Sequence, residues 1–539
     1  LTCNVAQCKF TIVKTTDYKT INDLPADPAE LRELLWECLA DIRHLSGQVA
    51  VLRKELFGKS SEKHIVSDDN QIVIDGLLEQ LVENIAPVQK DEYVETTEKK
   101  RRKSNPGRNA IPDSIETVEH IIDLDNKDKE CHNGCGEMTK IREERRTVIE
   151  RIPAKYVKNV YIQYIYACNK CKDTFVAKEM PLVSPLPRIL PGIDFLIFVI
   201  LSKYQYHLPL YRIQRMIYHE SQIWLTRSTL CGWISEICVP LRRIYDVLVK
   251  EVKSGDCIHS DDTGIRCCGH SSFMWTYVNG AQTVAVFDYR ETRGAAAPRE
   301  FLKGISSGSY LMTDCCPSYN DSIRKYNLLQ MSCMMHVRRE FVEALEAKYN
   351  KDFNSKVLLY IRHLYRLESF VNSRKNIDNK DLITLRYKVR NQYSKPILEK
   401  MKVLLENPGI TIVPKSLTAK AINYTLNHWG NIVRYLERGD LPIDNGISER
   451  VIRDLTIGRK NWVQVMSEAG GKRSAIILSI VATCKLNNIN PYDYLKEVLM
   501  IIAIRPKDAD VSDLTPQAWL MNKNNGTLPD KKPLYPSKN

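Results

Sequence analysis

Three carboxylates, widely spaced along the chain, sit in sequence that could put them to work on a phosphodiester. Asp261 lies in the run DCIHSDDTGIRC, Asp314 closes SYLMTD, and Glu449 sits in DNGISERVIRDLTIGRKNW among Arg450, Arg453, Arg459 and Lys460. Singly, each acid reads as structural, and Glu449 with Arg453 has the four-residue spacing of a surface helix pair that contributes little stability. Together they fit phosphodiester cleavage and strand transfer. That chemistry needs two divalent ions roughly 3.5 to 4 Å apart, held by carboxylates that leave room for scissile phosphate oxygens. Magnesium is the expected ion: one activates the attacking water or 3′-hydroxyl, the other stabilises the leaving oxygen, and the nearby arginines neutralise phosphates.

A sheet and a helix must position these acids. From Asp256 the runs DCIHSDDTGIRC, FMWTYVNG and TVAVFDY are strand-like and separated by turns, followed by a short helix at PREFLKG and a fourth strand, SYLMTD. In a ribonuclease-H-like fold that order places one carboxylate in the first strand, one just beyond the fourth and a third on a later helix. Phe341 to Arg438 is helical, charged sequence, expected to be a helical insertion. DNGISER then opens a helix, with Asp444 and Asn445 as cap residues and Ile447, Val451 and Ile452 facing inward.

Upstream, Leu31, Leu35, Cys38, Ile42, Leu45, Val49, Leu52 and Leu56 recur at alternating steps of four and three. This heptad seam predicts a short parallel coiled coil, and so a homodimer or higher oligomer, with Asp27 and Pro28 at its start. A polar linker follows, carrying Lys99, Lys100, Arg101, Arg102 and Lys103, a run suited either to phosphate contact or to solvation. Cys131 and Cys135, then Cys168 and Cys171, have the paired spacing of one structural zinc ion, and four thiolates leave no open position for catalysis. SKYQYHLPLYRIQRMI and LTRSTLCGWISEI, joined by a turn with Thr226 as cap, resemble a helix-turn-helix DNA-binding pair, with a plain helical connector as the alternative.

Composition agrees with a polyanionic partner, since the net charge is +13. The longest apolar runs, FLIFVIL at Phe195–Leu201 and VLMIIAI at Val498–Ile504, fall far short of the roughly 20 residues a membrane-spanning helix needs. Sixteen cysteines in 539 residues are too sparse for a disulfide scaffold. The expected location is therefore cytoplasmic, associated with the nucleoid.

One series of motifs, in order, resembles the transposases typified by insertion sequence 66. It comprises ELFGKSSEK, NPGRNAIP, the two cysteine pairs, HLPLYRIQRM with RSTLCGW, IHSDDTG, YLMTDCCPSYN, CMMHVRREF, DNGISERVIR with GRKNW, and ATCKLNNINPYDYL. The resemblance implies a DDE-type transposase, a polynucleotidyl transferase with Asp261, Asp314 and Glu449 as its metal-binding catalytic acids. Its partners would be double-stranded DNA at the element ends and target, with small accessory transposition proteins. Arg450, Arg453, Arg459, Lys460 and Trp462 match family positions and are carried over as active-site or DNA-facing residues. Cys333 and His336 match a C-x-x-H, taken as a packing or substrate-positioning pair.

This chain departs from the family pattern where Asp261-Asp262-Thr263-Gly264 replaces Asp-Glu-Thr-Pro, where Cys315 and Cys316 replace glycine and an aromatic residue, and at Gly446, where a second asparagine is common. The competing functions are a catalytically inactive DNA-binding relic and a repair nuclease of the same fold.

The expected fold is thus multidomain α/β. It runs as an N-terminal tail (1–26), coiled coil (27–65), basic linker (66–108), four-cysteine zinc module (109–181) and helical DNA-binding region (182–255). The ribonuclease-H-like core begins at 256–335, is interrupted by the helical insertion (336–440), resumes with the helix bearing the third acid (441–490), and ends in a C-terminal tail (491–539).

Overall fold

The computed structural model describes residues 191–347, 350–374 and 377–528, with Asp27 and short pieces at 156–159, 165–167, 174–176 and 184–185. The chain divides into two compact units, residues 1–58 with 154–539, and residues 59–153. The second unit, the heptad positions, the basic run 99–103 and the four paired cysteines all lie outside the described residues. A short antiparallel hairpin, β1 (Ile165–Ala167) and β2 (Thr174–Val176), brackets the segment that carries Cys168 and Cys171.

Six strands make the main sheet: β3 (Cys257–Cys267), β4 (His270–Asn279), β5 (Ala285–Arg290), β6 (Tyr310–Thr313), β7 (Leu329–Ser332) and β8 (Gln464–Val465). Their order is β5-β4-β3-β6-β7, with β8 beside the far end of β3. β3, β4 and β5 pair antiparallel, whereas β6 and β7 continue from β3 in parallel. The β6 ladder reaches only His259 on β3, and β8 joins at Arg266. Between them one edge of β3 is left without a strand partner among the described residues, and Asp261 lies on that stretch. Mixed sheets of this kind present their functional groups beyond the carboxyl ends of the parallel strands.

Helices cover the sheet because their apolar residues recur at helical spacing. α1 (Ile193–Tyr204), α2 (Leu210–Ser221) and α3 (Arg227–Ser254) precede it. Thr226 caps α3, accepting from the Thr229 N–H at 3.0 Å. The α3 stripe Leu230, Ile234, Ile237, Leu241, Ile244 and Leu248 is buried in the same core as Trp275 and Phe287 of the sheet. Tyr245 on α3 donates to the Phe287 carbonyl at 2.9 Å. The expected boundary at 255/256 therefore falls inside one core: a 28-residue helix that spends its apolar stripe on the sheet is a structural layer of it.

After β7 come α4 (Met334–Glu346) and further helices between Lys351 and Val433, packed around a second core of Val337, Phe341, Val357, Ile361, Leu364 and Met401. Met312 and Met331 of the sheet belong to that core, so these helices pack directly on the β6–β7 end of the sheet. Arg390, 2% exposed, braces it with a two-pronged bond to Glu368 at 2.7 and 2.9 Å and further bonds to the carbonyls of Tyr435 and Arg438.

The chain returns to the sheet through α5 (Gly446–Trp462), α6 (Glu468–Leu486) and α7 (Pro491–Ile504). α6 covers the β5 edge, where Ser479 and Thr483 accept from the Phe287 and Ala285 N–H groups at 2.8 and 3.2 Å. Edge backbone that would otherwise template foreign pairing is thereby satisfied. The expected C-terminal tail is corrected: α7 and the helix Pro516–Asn524 bury Leu495, Val498, Leu499 and Trp519 in the main core. The two long apolar runs are buried segments of α1 and α7, and no helix among the described residues is long and apolar enough to cross a membrane.

Candidate active site

The site forms where β3, β6 and α5 meet. Asp261 Oδ1 accepts from the Asp262 N–H at 2.8 Å. Burial pushes the Asp261 carboxyl up to about 7, and the negative charges of Asp314, Asp262 and Glu449 push the same way against that hydrogen bond. The three expected acids, drawn from positions 261, 314 and 449, thus sense one another across three separate elements. Neighbouring Asp262, whose side chain is 3% exposed, is claimed by Arg293 at 2.9 Å. Burial raises its carboxyl and Arg293 opposes the rise. Two adjacent acids are therefore made unlike: one is neutralised by a guanidinium and the other is left to its carboxylate neighbours.

Asp314 follows β6 directly. Its Oδ1 accepts from the Cys316 N–H at 2.9 Å, while the Cys315 N–H donates to Thr313 Oγ1 at 3.1 Å. Closing this turn puts Cys315 at φ +63°, in the left-handed region. Glycine enters that region without a steric penalty and a residue with a Cβ does not. The Cys315 departure is therefore first a backbone matter, beyond the side-chain packing that sequence alone suggests. From the insertion, Tyr424 donates to the Asp314 carbonyl at 3.3 Å.

Glu449 occupies the first turn of α5, whose buried side is Ile447, Val451, Ile452 and Leu455. Asn445 stands at the N-cap position, yet its side chain makes no cap bond. Instead its Nδ2 donates to the Ser260 carbonyl at 2.9 Å, its Oδ1 lies 3.2 Å from His259 Nδ1, and its N–H donates to Cys333 Sγ at 3.1 Å. Asp444 takes the turn, accepting from the Gly446 N–H and the Tyr365 hydroxyl, each at 2.8 Å. Burial depresses His259 to about 4, so the ring is neutral at pH 7. Asn445 thereby fastens the start of α5 to the residues just before Asp261, which sets where Glu449 stands.

The cation beside Glu449 is Arg339, 3.4 Å away on α4, with His336 Nδ1 at 3.9 Å. Arg453, the expected helix partner, is exposed, as are Arg450 and Lys460. Arg459 reaches across the open edge of β3, donating to Thr263 Oγ1 at 3.0 Å and to the Gly264 carbonyl. Trp462 is partly buried against the main core with Lys203 5.1 Å over its ring. An open cleft of about 520 Å³ runs alongside, lined by Arg266, Ser271, Phe273, Arg459 and Lys460. Sequence reasoning missed Arg339 and Arg293, and the cue for Arg339 was its place three residues after His336 in CMMHVRREF.

The triad is an all-oxygen donor set, the kind that suits a hard divalent cation. The Asp261 carboxyl is raised first by burial and then by the neighbouring acids, with no positive charge to offset either. Among the described residues, the donor group of three drawn within 4.8 Å is a different one: Cys333, His336 and Glu449.

A family model described as "Transposase IS66 family" matches residues 188–473, the span that holds all three acids. The chain belongs to the IS66 transposase family. The IS66 C-terminal element matches residues 479–520, which include all of α7 and the start of the helix bearing Trp519. A model described as "zinc-finger binding domain of transposase IS66" matches residues 128–172, which contain all four paired cysteines. "Transposase C of IS166 homeodomain" matches residues 44–119, which include the basic run. The chain is also 25% identical to two proteins of Sinorhizobium fredii (strain NBRC 101917 / NGR234). Uncharacterized protein y4hP aligns over 507 residues, 88% of each chain, and uncharacterized protein y4qI over 514, 91% of this chain and 92% of its own. These IS66 domains support a transposase, a nucleic-acid-modifying enzyme with DNA as its partner.

Proposed function

We propose that this transposase cleaves DNA at the ends of its element and joins them to a target, with Asp261, Asp314 and Glu449 holding two magnesium ions in a ribonuclease-H-like core. The fold reading rests on the order β5-β4-β3-β6-β7, antiparallel on one side of β3 and parallel on the other. The observation that supports the activity is the placement of Asp261 on β3, Asp314 just beyond β6 and Glu449 in the first turn of α5, with the latter two adding to the rise of the buried Asp261 carboxyl. Bound magnesium supplies positive charge to the attacking and leaving oxygens of phosphoryl transfer. The protein's own part is positional. Asn445 sets the height of α5 against β3, and Arg293 keeps Asp262 occupied. Arg450, Arg453 and Lys460 offer exposed charge to DNA phosphates, joined by Arg459 at the cleft, by the partly buried Trp462 and by Lys99–Lys103. One zinc ion on Cys131, Cys135, Cys168 and Cys171 and a coiled-coil oligomer complete the reading.

Labelled element ends incubated with purified protein and Mg²⁺ test it. Wild type should nick, and Glu449→Gln should bind with a similar Kd and leave the strands intact. A variant that nicks at the parental rate removes Glu449 from the site. Wild-type binding without nicking identifies a relic, and nicking without plasmid integration identifies a nuclease.

A further inference from the structure

We infer that Cys333, His336 and Glu449 form a second metal site, one that takes a borderline divalent cation such as zinc or cobalt(II) and competes with magnesium for Glu449. The three donor atoms lie within 4.8 Å of one another. Donors around a tetrahedral zinc, with bonds of about 2.0–2.3 Å, stand roughly 3.3–3.8 Å apart. His336 Nδ1 and Glu449 Oε1 are already 3.9 Å apart, so closing on an ion asks for a small side-chain adjustment.

The surroundings fit an ion as well as the distances do. His336 Nδ1 is sealed from solvent and has no hydrogen-bond partner, a state that buried polar atoms rarely keep. Cys333 and His336 stand three residues apart at the start of α4, where the His336 N–H donates to the Cys333 carbonyl at 3.1 Å and fixes their relative position. The Asn445 N–H points at Cys333 Sγ, the arrangement that supports a metal-bound thiolate. One thiolate and one carboxylate balance a divalent charge, and Arg339 beside Glu449 can turn to a phosphate when the ion takes its place. Binding exchanges the thiol proton for the metal: the S–H bond is lost, an S–metal bond forms, the proton goes to solvent, and nothing is oxidised. Three protein ligands would leave a fourth position for water.

Thiolate and imidazole select zinc over magnesium, which prefers oxygen and keeps its water. The site itself stands on the three donors. Its effect on catalysis rests on the proposed function, because an ion here withdraws Glu449 from the magnesium pair.

The test uses the full chain, its four-cysteine module first filled with one equivalent of zinc. Titration with cobalt(II) should produce a near-ultraviolet thiolate-to-cobalt absorption with one further equivalent. Cys333→Ser should abolish the band, and His336→Ala, at a partly exposed position, should weaken binding at least tenfold while leaving the far-ultraviolet dichroism unchanged. No band in wild type, or a band that survives Cys333→Ser and so belongs to the four-cysteine module, overturns the site. In magnesium-driven nicking, micromolar zinc should slow wild type at least tenfold, reversibly by chelation, and should leave His336→Ala near its own zinc-free rate. Cobalt binding that depends on Cys333, with no zinc effect on nicking, upholds the site and counts against Glu449 as a magnesium ligand.

Discussion

Replacing Asp261 by asparagine should make the magnesium-free protein more stable, and only above acid pH. Asparagine keeps the shape and the oxygen that accepts the Asp262 N–H at 2.8 Å, and it cannot ionise. The Asp261 carboxyl titrates near 7 in the folded chain against an ordinary 3.8. Below 3.8 it is protonated in folded and unfolded chains alike, so its contribution to stability is fully present. As pH rises the unfolded chain ionises first, and stability falls until the folded carboxyl ionises near 7, after which the loss is constant. Moving a carboxyl across that interval corresponds to at most ~4 kcal/mol. Melting curves of wild type and Asp261→Asn in magnesium-free buffer between pH 4 and pH 8 should start together and diverge, the variant ending on the order of 5 °C higher. Added magnesium at pH 8 should raise the wild-type Tm and leave the variant unmoved. A pH-independent difference, or a variant that melts lower at pH 8, would refute the account of Asp261 as a carboxyl raised by burial with Asp314 and Glu449 adding to it.

Three further outcomes are expected. Cys315→Val should lose about 1–2 kcal/mol, because a β-branched side chain in the left-handed region adds to the existing strain, while Cys315→Gly should be neutral or stabilising; the pair is read by denaturant midpoints. Asn445→Ala leaves the Ser260 carbonyl and His259 Nδ1 short of a partner, so about 1–3 kcal/mol of stability should go, and nicking should suffer in kcat more than in KM as Glu449 shifts. Arg390→Ala leaves the Glu368 carboxylate with only Arg386, 3.6 Å away, and strips the bonds to the Tyr435 and Arg438 carbonyls, so it should cost about 3 kcal/mol, visible as early protease cutting between residues 351 and 433; a melting curve like wild type would show that Arg386 suffices for Glu368.

Much of the main sheet is legible in the chain. The run DCIHSDDTGIRC reads as strand-like and becomes β3, and Thr226 caps the helix it precedes. The short strands β7 and β8, of four and two residues, carry too little pattern to be recognised. Residues 491–539 read as a tail although they hold the uniformly apolar VLMIIAI, because uniform character says that a segment is buried without saying against what. The C-x-x-H of Cys333 and His336 is visible as a motif, but its third donor arrives from α5, beyond the reach of any local spacing.

What the sequence determined by itself is the identity and local setting of the chemistry: which acids exist, that Asp261 lies in a strand and Glu449 in a first helical turn, and that arginines follow the third acid along the chain. Those follow from periodicity and capping, which are properties of a few neighbouring residues. Tertiary structure alone decided the partners. Glu449 faces Arg339, 110 residues away in sequence, rather than Arg453 one turn along, because the buried side of α5 and the Asn445 bonds fix the helix's rotation. Burial raises both Asp261 and Asp262, but adjacent strand residues meet different surroundings: the other acids add to the rise at Asp261, and Arg293 opposes it at Asp262. Charge and burial at a point are sums over everything the fold brings there, and no stretch of chain contains that sum.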